Sequence, residues 1–221
     1  MRWQIYFFVF FLNSISLSSM DGNLENNQIM KSKKLCVYLG ANAGNDDVFK
    51  TQVMELAKNL VAMNCTLVYG GSSLGMMGLL ATTLKELGGK AIGVITQHLL
   101  DKENPIKILD ELYIVDSMQE RKKMMQKLSD AFLVMPGGLG TLEEAFETLN
   151  AIKIGEINKK IGFLNVNAYF DHIFAFIRIC KNNGFISSEH EAIPIARSNI
   201  KLLMHELLDL SPSENQVTSQ Y

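Results

Sequence analysis

Cysteine is scarce and unpatterned in this chain. Cys36, Cys65 and Cys180 are the 3 cysteines among 221 residues, widely spaced and each set among apolar neighbours. That spacing supplies neither a disulfide framework nor a paired metal-ligand pattern, so reduced core thiols are expected. Histidine is as thin: His98, His172, His190 and His205 show no H-x-x-x-H spacing, and no metal is expected. No field of one charge exists either. Lys and Arg number 21 against 23 Asp and Glu, a formal net charge of −2, which excludes a basic surface for a nucleic acid polymer. Neither G-x-G-x-x-G nor G-x-x-x-x-G-K-[ST] occurs, which argues against NAD and nucleoside triphosphates.

A long apolar run is missing too. Ile5 to Leu12 follows Arg2 and precedes Asn13 and a serine-rich stretch, which is short for a span of about 20 residues but close to the apolar core of a secretory signal. No stable membrane span is expected. Residues 1–30 read as a leader that is an export signal, a start assigned too far upstream (Met20 and Met30 are alternatives), or a disordered tail. Without export the cytoplasm is the expected compartment; a true signal would mean secretion.

What is present is ordinary globular composition, 48% apolar and 20% charged. One domain is expected over 31–210, with a polar tail over 211–221. Short β-rich runs alternate with helical periods, the pattern of a parallel sheet covered by helices. Strands are expected at Leu35 to Leu39, Thr66 to Tyr69, Lys90 to Ile95, Glu111 to Val115, Ala131 to Met135 and Ile161 to Asn165. Helices are expected at Asp46 to Met63, Leu74 to Leu87, Met118 to Leu128, Thr141 to Ile154, Ala168 to Asn182 and Asn199 to Leu208. Right-handed crossovers then give an α/β fold with a doubly wound, Rossmann-like sheet, and ligands belong beyond the carboxyl ends of its strands.

Three glycine-rich or basic segments follow those strands. In Pro136-Gly137-Gly138-Leu139-Gly140-Thr141-Leu142-Glu143-Glu144 the proline stops the ladder, the glycines allow close backbone approach, and Thr141 stands where the helix begins. Free N–H groups at a helix start form an anion site, which suits a phosphate. Glu143 and Glu144 are placed in the first helical turn, where the dipole favours their ionised form, and since adjacent positions point about 100° apart only one should be the working acid. The turn Gly70-Gly71-Ser72-Ser73-Leu74-Gly75-Met76-Met77-Gly78 serves either ligand contact or close packing. In Ser117-Met118-Gln119-Glu120-Arg121-Lys122, two cations near the positive end of a helix imply an answering anion or a solvated basic face.

Taken together and in this order, M-x-x-R-K (Met118, Arg121, Lys122), P-G-G-x-G-T-x-x-E (Pro136 to Glu144) and Lys160-Ile161-Gly162-Phe163-Leu164-Asn165-Val166 resemble the LOG family. These are the cytokinin-activating nucleoside 5′-monophosphate phosphoribohydrolases, whose members were often labelled lysine decarboxylases. The resemblance runs from about Leu35 to Ile193. It implies a homodimer that hydrolyses a nucleoside 5′-monophosphate to free base and ribose 5-phosphate without metal or organic cofactor. It makes Arg121 and Glu144 the catalytic pair, Glu144 acting on the ribose and the attacking water, and Arg121 holding the phosphate or orienting Glu144. Substrate binding falls to Gly70, Gly71, Glu103, Met118, Lys122, Gly137, Gly138, Gly140, Thr141, Glu143 and Asn150. The chain departs from the family at Gln119, often histidine; at Ser72, often a third glycine; at Asn150, commonly threonine; and at Ala151-Ile152-Lys153, commonly W-A-Q. These departures bear on base preference. A second function class is a module of the same fold that holds a nucleotide or phosphorylated cofactor without turnover; it would need no carboxylate at Glu144. Decarboxylation with pyridoxal phosphate would need a Schiff-base lysine, for which Lys122 and Lys153 are the nearest candidates.

Overall fold

The computed structural model describes residues 32–103 and 108–210. The expected leader and tail lie outside the described residues. Within them the chain forms β1 (Lys34–Tyr38), α1 (Asp47–Ala62), β2 (Thr66–Tyr69), α2 (Gly75–Glu86), β3 (Ala91–Thr96), α3 (Gln97–Leu100), β4 (Glu111–Val115), α4 (Met118–Leu128), β5 (Ala131–Val134) and α5 (Leu139–Lys153). It continues through β6 (Lys160–Leu164), a 3-10 turn (Val166–Ala168), α6 (Asp171–Asn182), α7 (Ser188–Glu191), β7 (Pro194–Arg197) and α8 (Ile200–Leu208).

All seven strands pair in parallel in the order β4-β3-β2-β1-β5-β6-β7. Successive strand residues point to opposite faces, and both faces are covered. Leu35 and Val37 of β1 join Leu56 and Leu60 of α1, Leu80 and Leu84 of α2, and Leu203 and Leu207 of α8. Cys36 and Tyr38 face the other way, into a cluster with Met125 of α4, Ala145 of α5 and Phe170, on which Phe174 of α6 packs. Burial on both sides is why these strands read as continuous apolar runs.

The six expected strands and six expected long helices are all present, with no end moved by more than three residues. Three short elements were not expected: α3, α7 and β7. The last begins at Pro194 on the sheet's edge, where a residue without an N–H is tolerated. The strand order reverses at β1, which has β2 on one side and β5 on the other. The loops that leave these two central strands part around a crevice, the general ligand position of open α/β sheets.

Candidate active site

At that reversal lies a cavity of about 530 Å³, inside the usual range of about 300–1,000 Å³ for small-molecule sites. Its walls include the Gly40–Gly44 loop after β1, Gly70 and Ser72 after β2, Met118 and Arg121 of α4, the start of α5, and the rings of Phe49 and Tyr169.

Helix α5 starts at Leu139, two residues before the expected Thr141, because Gly138 adopts an extended conformation (φ −91°, ψ −155°) and serves as N-cap. No side chain caps the helix, and Leu139, Gly140 and Thr141 line the cavity. An uncapped helix start presents unsatisfied N–H groups and the positive end of the dipole, which is an anion site. Gly138 and Gly140 face open space, whereas a Cβ on Gly137 would stand 2.2 Å from the Oγ1 of the buried Thr141.

The earlier start corrects the expectation for the two glutamates. No acidic residue occupies the first turn of α5; Glu143 and Glu144 fall in the second, where dipole support has faded. Burial then governs Glu144. Its side chain is 12% exposed against 62% for Glu143, and desolvation pushes its pKa up to about 7, with Arg121 pulling down and Glu143 pushing further up. Of the pair, Glu144 is the one turned inward.

Arg121 sits one turn into α4, whose start is capped: the N-cap Ser117 hydroxyl accepts from Glu120 N at 3.1 Å, and the Glu120 carboxylate reaches back to accept from Asp116 N, ahead of the helix, at 3.1 Å. Buried to 5% exposure, the guanidinium donates from Nε to Val94 O and from Nη2 to Gly70 O, both at 2.9 Å. Its Nη1 stands 3.6 Å from Glu144 Oε1 and 3.8 Å from Met118 Sδ. The fork is thus anchored on the ends of β2 and β3 and turned on Glu144. Gly70 makes room for it, since a Cβ there would lie 1.9 Å from Nη2.

Lys122 is also buried, bonded to Glu143 at 2.8 Å and to Glu147. Those two carboxylates raise its pKa above the ordinary lysine value. The anions that answer the basic pair are therefore the protein's own, and a solvated basic face is ruled out by burial. Lys122 does not line the cavity.

Among the other expected residues, Met118, Glu103 and Glu143 line the cavity, and the Glu103 carboxylate accepts from the Ser72 hydroxyl. Gly71 serves packing: its φ is +71° and a Cβ would meet Ile95 at 3.2 Å. Asn150 lies elsewhere, exposed on α5, lining a second cavity of about 200 Å³ with Phe146, Phe176, Cys180 and His190. Sequence reasoning missed the Gly40–Gly44 loop with Asn42, although Gly40 and Gly44 after the first expected strand were a signal, and it missed Phe49 and Tyr169, for which no motif spoke. Among the described residues no three His, Cys, Asp or Glu side chains are grouped to hold a metal ion.

Residues 77–207 match the family model described as "Possible lysine decarboxylase". The chain is 38% identical over 190 residues to cytokinin riboside 5′-monophosphate phosphoribohydrolase LOG1 of Arabidopsis thaliana, covering 86% of this chain and 89% of that one. It is 35% identical to LOG4 of the same plant over 201 residues, 91% and 94% of the two chains. Among solved structures, the molybdenum cofactor carrier protein of Chlamydomonas reinhardtii superposes with a TM-score of 0.61 at 18% identity, covering 81% of this chain and 99% of that one. The molybdenum cofactor binding protein of Rippkaea orientalis gives 0.60 at 19%, covering 81% and 97%. These last two share the fold.

Proposed function

The chain belongs to the family of the cytokinin riboside 5′-monophosphate phosphoribohydrolases, and from that premise we propose that it hydrolyses the N-glycosidic bond of nucleoside 5′-monophosphates. Cytokinin riboside 5′-monophosphates and AMP-like purine nucleotides are the substrates in this reading; the products are free base and ribose 5-phosphate. The observation that carries it is a buried carboxylate, Glu144, held 3.6 Å from a buried guanidinium, Arg121, in a cavity that the open start of α5 also lines.

As the C1′–N bond breaks, its electron pair leaves with the base and positive charge builds on the ribose. An ionised Glu144 stabilises that charge more than it stabilises the bound substrate, which is what lowers a barrier. The same carboxylate takes a proton from the attacking water, whose hydroxide equivalent ends on C1′; a proton returns to the departing base. Arg121 acts by orienting Glu144 and holding its pKa down. The amides at the start of α5 receive the 5′-phosphate, Gly137, Gly138, Gly140 and Thr141 shaping that cradle. Lys122 acts from behind by neutralising Glu143 and Glu147. Glu103, steadied by Ser72, offers an acceptor to the sugar hydroxyls or the base.

Amino-acid decarboxylation, the activity in the family model's description, fits the lysines poorly. A Schiff-base lysine needs a lowered pKa, and that of Lys122 is raised by its two carboxylates; Lys153 lines the second cavity.

A homodimer is part of the same reading. Phe146 and Ile154 of the α5 region and Phe176, Ile179 and Phe185 of the α6 region are exposed, and Phe146 and Phe176 meet at the second cavity. Exposed apolar side chains of this kind suit a second copy of the chain. The cytoplasm is the compartment we assign: Cys36, Cys65 and Cys180 are unpaired, as in a reducing environment.

The test is incubation with AMP, GMP, CMP, UMP and isopentenyladenosine monophosphate, with free base and ribose 5-phosphate followed by chromatography. Release of base by the wild type and its loss in Glu144→Gln are expected. Binding of a nucleotide with no release of base from any of the five would replace the hydrolase by a binding module. Light scattering of Phe176→Asp, expected to shift toward monomer, tests the dimer.

A further inference from the structure

The connection from β6 to α6 passes through two adjacent residues of positive φ. Asn167 (φ 51°) and Ala168 (φ 58°) both lie in the left-handed region, which asparagine visits readily but alanine occupies only where its surroundings over-determine it. The surroundings here are specific. The Asn165 side chain accepts from Phe170 N at 2.8 Å and donates to Asp171 Oδ1 at 2.7 Å, and Phe170 is fully buried, edge-on to Phe163 at 5.2 Å. Clamped on both sides, the turn delivers one side chain to the cavity, Tyr169. Its ring packs edge-on against Phe49 at 5.5 Å and Phe170 at 5.0 Å, and its hydroxyl donates to Gly137 O at 2.8 Å.

Gly137 O belongs to the peptide that joins two glycines just ahead of α5, the unit of the loop with least restraint from its own side chains. A peptide is planar and turns as a whole, so holding this carbonyl also fixes the direction of the Gly138 N–H. We infer that Tyr169 is a positioning residue for the phosphate loop: its hydroxyl locks the Gly137–Gly138 peptide in the orientation in which the open start of α5 receives the 5′-phosphate. The strain at Ala168 is the local cost of putting that hydroxyl in place. The inference rests on the phosphate assignment made under the proposed function.

The experiment is Tyr169→Phe in the full chain, which keeps the ring and its aromatic packing and removes only the hydroxyl. Calorimetric titration of both proteins with AMP, ribose 5-phosphate and adenosine separates the phosphate from the rest of the ligand. Affinity for AMP and ribose 5-phosphate is expected to fall about two- to ten-fold, the worth of one neutral hydrogen bond, with adenosine unaffected. In turnover the loss is expected in KM, with kcat within about two-fold of wild type on the same scale. An equal loss for adenosine would make the hydroxyl a general structural prop and overturn the inference, as would unchanged affinity for ribose 5-phosphate. If the wild type binds AMP and ribose 5-phosphate yet releases no base from any of the five nucleotides, the hydrolase reading fails by itself, while the binding comparison still decides the role of Tyr169.

Discussion

Arg121 reaches Glu144 with the one guanidinium nitrogen left after Nε and Nη2 have bonded the carbonyls of Val94 and Gly70, and the 3.6 Å between them is an ion pair too long to be a hydrogen bond. Glu144 is thus partly compensated without being tied up, and its oxygens stay open to a substrate. A lysine cannot reproduce this, having a single nitrogen where three directions are used. Arg121→Lys is expected to lower kcat by about 100-fold or more, the usual size of a lost transition-state contact. Steady-state release of base, with KM measured alongside, checks it.

Gly70→Ala attacks the same contact from the other side. Its Cβ would fall 1.9 Å from Arg121 Nη2, so the guanidinium has to leave its anchor. Activity is expected to drop nearly as far as in Arg121→Lys, with the circular dichroism spectrum unchanged. A fully active variant would show that Arg121 does not need Gly70.

The protonation of Glu144 should be visible in the rate. With its pKa pushed up to about 7 by burial, the ionised form grows as pH rises through neutrality, and kcat/KM is expected to climb and then level off. The neighbours shift the midpoint in opposite directions: Glu143 raises the value and Lys122 lowers it. Glu143→Gln should therefore move the midpoint to lower pH and Lys122→Met to higher pH, relative to wild type on the same substrate. Profiles that coincide would remove Glu144 as the titrating group.

Stability carries the same signature with its own sign. The folded protein holds the Glu144 proton more tightly than the unfolded chain, about 7 against the ordinary 4.5, so between those values the native state binds more protons and loses stability as pH rises. The loss is complete above about 7 and is on the order of 3 kcal/mol at most. Glu144→Gln, which never ionises, is expected to gain on wild type progressively from pH 5 to pH 8. Denaturant unfolding of both proteins at several pH values measures the difference.

Much of this fold was legible because parallel strands buried on both faces, such as Leu35 to Tyr38 and Ala131 to Val134, give unbroken apolar runs. β7 was not: it is four residues long, opens with proline and is only partly buried, so neither alternation nor apolar content marks it. Within the site, glycine and charge were readable as residue types, but direction was not. That Gly138, and not Thr141, caps α5 depends on one ψ angle, and moving the start by two residues took Glu143 and Glu144 out of the first turn. For Lys122 the sequence left a site cation or a solvated basic face open, and its burial against Glu143 and Glu147 could not be read from it. Tyr169 carries no signal at all, because its place is set by a turn whose left-handed residues, Asn167 and Ala168, are not glycines.

The crevice between β1 and β5 also has a kinetic meaning. Gly40 and Gly137 lie far apart in the chain, yet a Cβ on Gly137 would touch the Gly40 backbone at 3.0 Å, and the strands that bring them together are the central strand β1 and its neighbour β5. Such non-local pairing comes late when a chain folds, after helices have begun to form. Nucleotide binding is therefore a readout of the finished sheet: in refolding, helical signal should return first, and affinity for the ligand only when β5 has docked beside β1.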